Sequence, residues 1–121
     1  MSTPLLLGVG ALGGIGASAR FLLDGAVAGA VGRDFPFGTF VVNVAGAFAL
    51  GLLVGATVDD GAYDLTGTGA VGAFTTFSTW ALESHRLAED GQARLGALNL
   101  AISLLVGIAA AALGRSLGRA L

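Results

Sequence analysis

The sequence has no cysteine and no lysine, a single histidine and two prolines. Without cysteine there is no disulfide framework and no thiolate metal site, and the redox compartment is left open. Without lysine, the basic residues are six arginines against eight carboxylates, so the formal net charge is −2 and no basic patch exists on which a nucleic acid would dock. Charge of either sign is scarce, at 12% of residues where soluble domains have roughly a quarter. In its place stand 55% hydrophobic residues and a mean hydropathy of +0.84, which exclude a soluble globular domain and point to a multi-pass protein of the cell membrane. A length of 121 residues suits one domain covering 1–121.

Glycine is abundant, at 21 residues, although each costs about 1 kcal/mol relative to alanine inside a helix in water. In a membrane, small residues at four-residue spacing let helix backbones approach, and Gly10 with Gly14 and Gly51 with Gly55 have that spacing. Both pairs are expected at helix contacts.

The uncharged runs predict four membrane-spanning helices. The first covers residues 5–31, with Arg20 and Asp24 four apart on one face. Ala17-Ser18-Ala19 matches the small-residue pattern of a signal-peptide cleavage site, but no Lys or Arg precedes it to form a positive n-region, so the helix is expected to be retained. An arginine at the depth of Arg20 faces a water-filled cavity or a partner, or snorkels to the headgroups. After a short loop at 32–38, residues 39–58 are twenty without a charge, enough to cross about 30 Å of hydrocarbon at 1.5 Å per residue. Thr39, Asn43 and Gly46 fall on one face of that helix, a polar stripe against another helix, where a lone asparagine is otherwise interhelical glue. An acidic loop at 59–64 precedes the third span, 65–82. A charged connection at 83–94 precedes the fourth, 95–114, in which Gly96, Asn99 and Ser103 again share a face. His85, in that connection, has no partner at metal spacing and reads as a solvated side chain.

The third span concentrates the chain's polarity. Thr75, Thr76, Ser78 and Thr79 sit among Phe74, Phe77 and Trp80 in an uncharged run. A hydroxyl or a bare backbone group in hydrocarbon costs on the order of 2–7 kcal/mol unless it finds a partner, so a pore, an ion or another helix is expected there. Gly67, Gly69 and Gly72, followed by the threonine pair, predict a helix broken near its middle, and membrane proteins tolerate such breaks where ions bind. Phe77 and Trp80, three apart, share a face, an arrangement that ordinarily serves core packing.

Four spans put the chain termini and the acidic loop on one side of the membrane. Arginines near span ends then number two on that side (Arg115, Arg119) and three on the other (Arg33, Arg86, Arg94), too even for the positive-inside rule to choose an orientation. Such balance suits insertion in both orientations and an antiparallel dimer.

The motifs Gly-Ala-Ser-Ala-Arg20-Phe, Gly38-Thr-Phe-Val-Val-Asn43-Val-Ala-Gly46 and Gly72-Ala-Phe-Thr75-Thr-Phe77-Ser-Thr-Trp80-Ala-Leu-Glu83, with Asn99 to Ser103 behind them, resemble the Fluc (CrcB) family of fluoride channels across nearly the whole chain. The resemblance implies an all-α membrane protein of four helices, the third broken, forming a dual-topology antiparallel dimer with a second copy of itself or a homologous subunit. It implies two fluoride pathways that relieve cytoplasmic fluoride toxicity, and no catalysis. It further implies a central structural sodium ion (Na+) on the carbonyls of Gly72 and Thr75, an aromatic pair at Phe77 and Trp80, a pore asparagine at Asn43, and hydroxyls at Thr39, Ser78, Thr79 and Ser103, with Arg20 as a further donor. Two positions depart from the family pattern: Trp80 stands where phenylalanine is usual, and Ala73 replaces the second glycine of a pair.

The chemistry agrees with that implication. Fluoride is small and tightly hydrated, so a path for it must replace water with donors, which hydroxyls, an amide and a guanidinium supply. Aromatic rings carry positive edges that tolerate an anion. Two other readings compete. A small proton-coupled multidrug exporter needs a central membrane carboxylate, and Asp24 and Glu83 lie near span ends. A non-transporting assembly protein would use the hydroxyls and aromatics for helix packing alone.

Overall fold

The computed structural model describes residues 2–32, 34–56 and 60–121, and at residues 73 and 77–79 the backbone alone. Helix α1 (Thr3–Val31) begins at Ser2, whose hydroxyl accepts from the Leu5 N–H at 3.3 Å, with Pro4 in the first turn, where a missing N–H is harmless. It stops at Gly32, whose φ of +82° favours glycine. Helix α2 (Phe37–Gly55) follows Pro36. Next come α3 (Asp60–Tyr63), a π-helical segment (Asp64–Val71), α4 (Gly72–Phe74), α5 (Phe77–Glu89) and α6 (Ala93–Arg119).

Helices α1, α2 and α6 are long and apolar enough to cross a membrane, which makes this an all-α, multi-pass membrane protein. At 1.5 Å per residue they extend about 43, 28 and 40 Å. The stretch expected as the third span is not one helix. Its winding widens first, with the Gly72 N–H reaching the Gly67 carbonyl five residues back, a π-helical bond. Gly67 and Gly69 are buried here, where a side chain on Gly67 would meet the Tyr63 ring and one on Gly69 would come within 2.9 Å of the Val9 carbonyl on α1.

The charged connection expected at 83–94 is mostly helix, because α5 continues to Glu89. Ser84 and Leu87 are buried while His85, Arg86 and Glu89 are exposed, so the charges form the outer face of an amphipathic helix rather than a loop. It ends at Gly91, φ +78°, where the Gln92 N–H returns to the Leu87 carbonyl at 2.7 Å. His85 lies against Glu89 on the exposed turn.

The interior inverts that of a soluble protein. Val42 and Leu87 are the buried hydrophobic side chains among the described residues, whereas Leu7, Phe21, Leu104 and Leu105 stand exposed. Backbone fills the contact between α2 and α6. A side chain on Gly51 or Gly55 would strike the carbonyl of Ala111 or Arg115, and one on Gly114 or Gly118 that of Phe48 or Leu52. The expected pair Gly51 and Gly55 therefore meets a reciprocal pair that the spacing argument passed over. Within the chain Gly10 and Gly14 meet no other helix: outside their own helix backbone no described atom lies within 4 Å of a Cβ placed on either, and α1 brings Gly16 onto the Ala70 backbone.

Candidate functional site

Gly46 sets the position at which the chain leaves the helix after α4. Its missing side chain leaves a notch on α2 that the Thr75 methyl fills. Thr75 is extended (φ −79°, ψ 158°), and both its N–H and its hydroxyl donate to the Val71 carbonyl, at 3.0 and 3.2 Å. The next N–H goes elsewhere. An unbroken helix would send it from Thr76 to the Gly72 carbonyl four residues back. Instead the Thr76 N–H donates to Asn43 Oδ1 and the Thr76 carbonyl accepts from Asn43 Nδ2, both at 2.9 Å. A carboxamide carries a donor and an acceptor on one planar group, as a peptide does, so Asn43 substitutes for the helix ladder at this point.

A second set of bonds joins α5 to α6. Trp80 Nε1 donates to the Asn99 carbonyl at 3.4 Å, giving a half-buried N–H its partner. The Ser84 hydroxyl donates to the Trp80 carbonyl at 2.9 Å and accepts from Asn99 Nδ2 at 2.7 Å. Asn99 Oδ1 accepts from the Ser103 hydroxyl at 3.2 Å. Ser84 escaped the sequence reading, although its place four residues after Trp80 was a usable signal.

Thr39, buried in the first turn of α2, donates its hydroxyl to Glu83 on α5. Thr39→Val is expected to lower stability in detergent by about 1–3 kcal/mol, since the carboxylate keeps its part-buried place without its donor. A thermal melt unchanged from the native one would contradict this. The Asp24 carboxylate packs on Gly38, in the space that a side chain there would take. A carboxylate in that position complements the positive end of α2.

Three cavities run past these groups. The largest, about 520 Å³, is walled by Asn43, Gly72, Thr75, Thr76, Trp80 and Ser103. A smaller one of about 190 Å³ has Arg20, Phe21, Thr39 and Val42 in its wall and shares Thr76 with the first. A third, about 500 Å³, holds Glu83, Arg86 and Asp90 and shares Asp24 with the second. Among the described residues the largest cavity has no carboxylate in its wall, while Asp24 and Glu83 stand at the far end of the series.

The structure thus brings Asn43, Gly72, Thr75, Trp80 and Ser103 to one groove, and Arg20 and Thr39 to the cavity beside it. The side chains of Phe77, Ser78 and Thr79 lie outside the described residues. Thr76, shared by both spaces, was not among the residues the sequence assigned.

The profile of the family described as "CrcB-like protein, Camphor Resistance (CrcB)" matches residues 7–115. The chain is 47% identical over 115 residues to "Fluoride-specific ion channel FluC 2" of Mycobacterium tuberculosis, covering 95% of this chain and 91% of that protein. It is 44% identical over 116 residues to "Fluoride-specific ion channel FluC 1" of Symbiobacterium thermophilum, covering 91% and 94%. With "Fluoride-specific ion channel FluC 2" of Haloarcula marismortui it shares 50% identity over 104 residues, covering 83% and 84%. With a match running through all three motifs, the chain belongs to the CrcB family.

Proposed function

We propose that this protein is a fluoride-specific channel that lets the ion leave the cytoplasm passively and so relieves fluoride toxicity. The observation that carries the reading is the series of three cavities, the first joined to the smallest at Thr76 and the smallest to the third at Asp24. Their walls offer donors, from the Arg20 guanidinium, the Asn43 amide and the Thr76 hydroxyl, to an ion that gives up its hydration shell. Phe77, Ser78 and Thr79 complete the donor and aromatic lining in this reading.

In the same proposal the π segment, α4 and α5 together make the third crossing, broken at Thr75, and two copies assemble antiparallel with dual topology. The exposed apolar faces of α1 and α6 support this, since they need lipid or a second copy to cover them. Because Asn43 takes the Thr76 N–H, the Gly72 carbonyl loses its helical donor. The Gly72 and Thr75 carbonyls, with the same two from a second copy, would hold a sodium ion, which supplies positive charge and a rigid joint at the centre of the dimer.

Purified protein in liposomes loaded with fluoride tests the function. Efflux is expected to follow the fluoride gradient alone, with no need of a proton gradient, because no carboxylate borders the largest cavity to couple the two. Absence of fluoride efflux would refute the channel, and efflux that depends on an imposed proton gradient would favour an exporter. Prolonged exchange of Na+ for another cation is expected to loosen the dimer or stop flux, and indifference of both would remove the sodium site.

A further inference from the structure

We infer that Asn99 is a positioning residue for Trp80, and that by fixing the indole in the wall of the largest cavity it sets which anions pass. The inference rests on the channel reading.

Asn99 holds Trp80 at two points. Its main-chain carbonyl accepts the indole N–H, and its carboxamide reaches the Trp80 carbonyl through the Ser84 hydroxyl. The direction of each bond is forced. The Trp80 carbonyl only accepts, so the Ser84 proton points at it. Ser84 then has only lone pairs for Asn99, which must present its NH2 and leave Oδ1 for the Ser103 proton. With one bond direction allowed throughout, a flipped amide or a rotated hydroxyl breaks the relay at once. Satisfied buried networks of this kind rigidify what they hold.

The burial agrees. Asn99 is 1% exposed and Ser84 5%, and Gly96, one turn before Asn99, has no side chain to keep the Ser84 backbone away. Trp80 stands in the cavity wall that Asn43, Thr76 and Ser103 also form. Discrimination between a small and a large anion requires a wall that does not yield to the larger one. A tethered indole is such a wall, and a released one swings aside.

Trp80 is the only tryptophan, so fluorescence excited at the red edge of the indole band, where Tyr63 does not absorb, reports on it alone. The test compares the native chain, Asn99→Leu, Ser84→Ala and Ser84→Thr in liposomes, measuring indole anisotropy and the ratio of fluoride to chloride efflux. Asn99→Leu and Ser84→Ala are expected to lower the anisotropy and to reduce the ratio by about tenfold, the scale of coupling between groups in one network. Ser84→Thr keeps the hydroxyl and is expected to restore both. In a Trp80→Phe background, Asn99→Leu should change the ratio no further. Unchanged anisotropy in both weakened variants overturns the inference, as does an equal fall in the ratio with and without the indole. If Asn99→Leu does not fold, Ser84→Ala decides alone. If the native chain passes no fluoride, the channel reading fails and selectivity with it, while the anisotropy still upholds or refutes positioning.

Discussion

Replacing Asn43 with leucine is expected to abolish fluoride efflux and to lower the stability of the folded chain by about 2–6 kcal/mol, at roughly 1–3 for each backbone group deprived of its partner. The groups are the part-buried Thr76 N–H and carbonyl, both bonded to the carboxamide. Leucine has the same branched shape and is the larger side chain, so it leaves no void, and lost bonds account for the effect. Asn43→Ala is expected to do the same with an added cavity. Spacing alone gave Asn43 the role of a stripe residue or of interhelical glue. The observed bonds make it a residue of folding as well. Efflux assays and unfolding in mixed micelles check both arms, and native flux in Asn43→Leu would show that the backbone after α4 holds its shape unaided.

Gly114→Val should prevent α2 and α6 from closing. The added carbons fall on the Phe48 carbonyl and beside the Leu52 nitrogen, which are backbone atoms of a continuous helix and have no rotamer to escape into. The two helices must separate, and the contacts of Gly51, Gly55 and Gly118 along the same seam open with them. Overpacking costs about 1–3 kcal/mol at a site that can relax, and this one exceeds that range because it cannot. The measurement is the yield of folded protein after extraction together with its melting temperature. Gly10→Ala is the control. Nothing lies near that position within the chain, so the substitution is expected to be neutral or to add up to about 1 kcal/mol through helix propensity. If Gly10→Ala damages the protein as much as Gly114→Val, the open face of α1 is covered by a second copy.

Scarce charge and long apolar runs sufficed to identify a membrane protein with helices near residues 5–31, 39–58 and 95–114, because the cost of burying charge in hydrocarbon leaves a mark in composition that no packing detail can erase. The same physics made the hydroxyl cluster at 75–79 legible as a special place, and three ordered motifs carried the family. Asn43, Trp80 and Ser103 were legible as members of a site because each is a polar or bulky exception on an apolar face. What each exception does was decided by tertiary structure. Periodicity put Thr39 and Asn43 on one face of α2, but their partners, Glu83 and the Thr76 backbone, lie 44 and 33 residues away. Composition made 83–94 a charged connection, yet Ser84 and Leu87 had α6 to pack on, and a partner helix outweighs local charge. Gly10 and Gly14 have the same spacing as Gly51 and Gly55, and only the position of α6 against α2 separates the open pair from the buried one. Single-residue chemistry, read along a chain, states which groups need partners. Which partner each one meets depends on how the helices cross, a property of the folded whole.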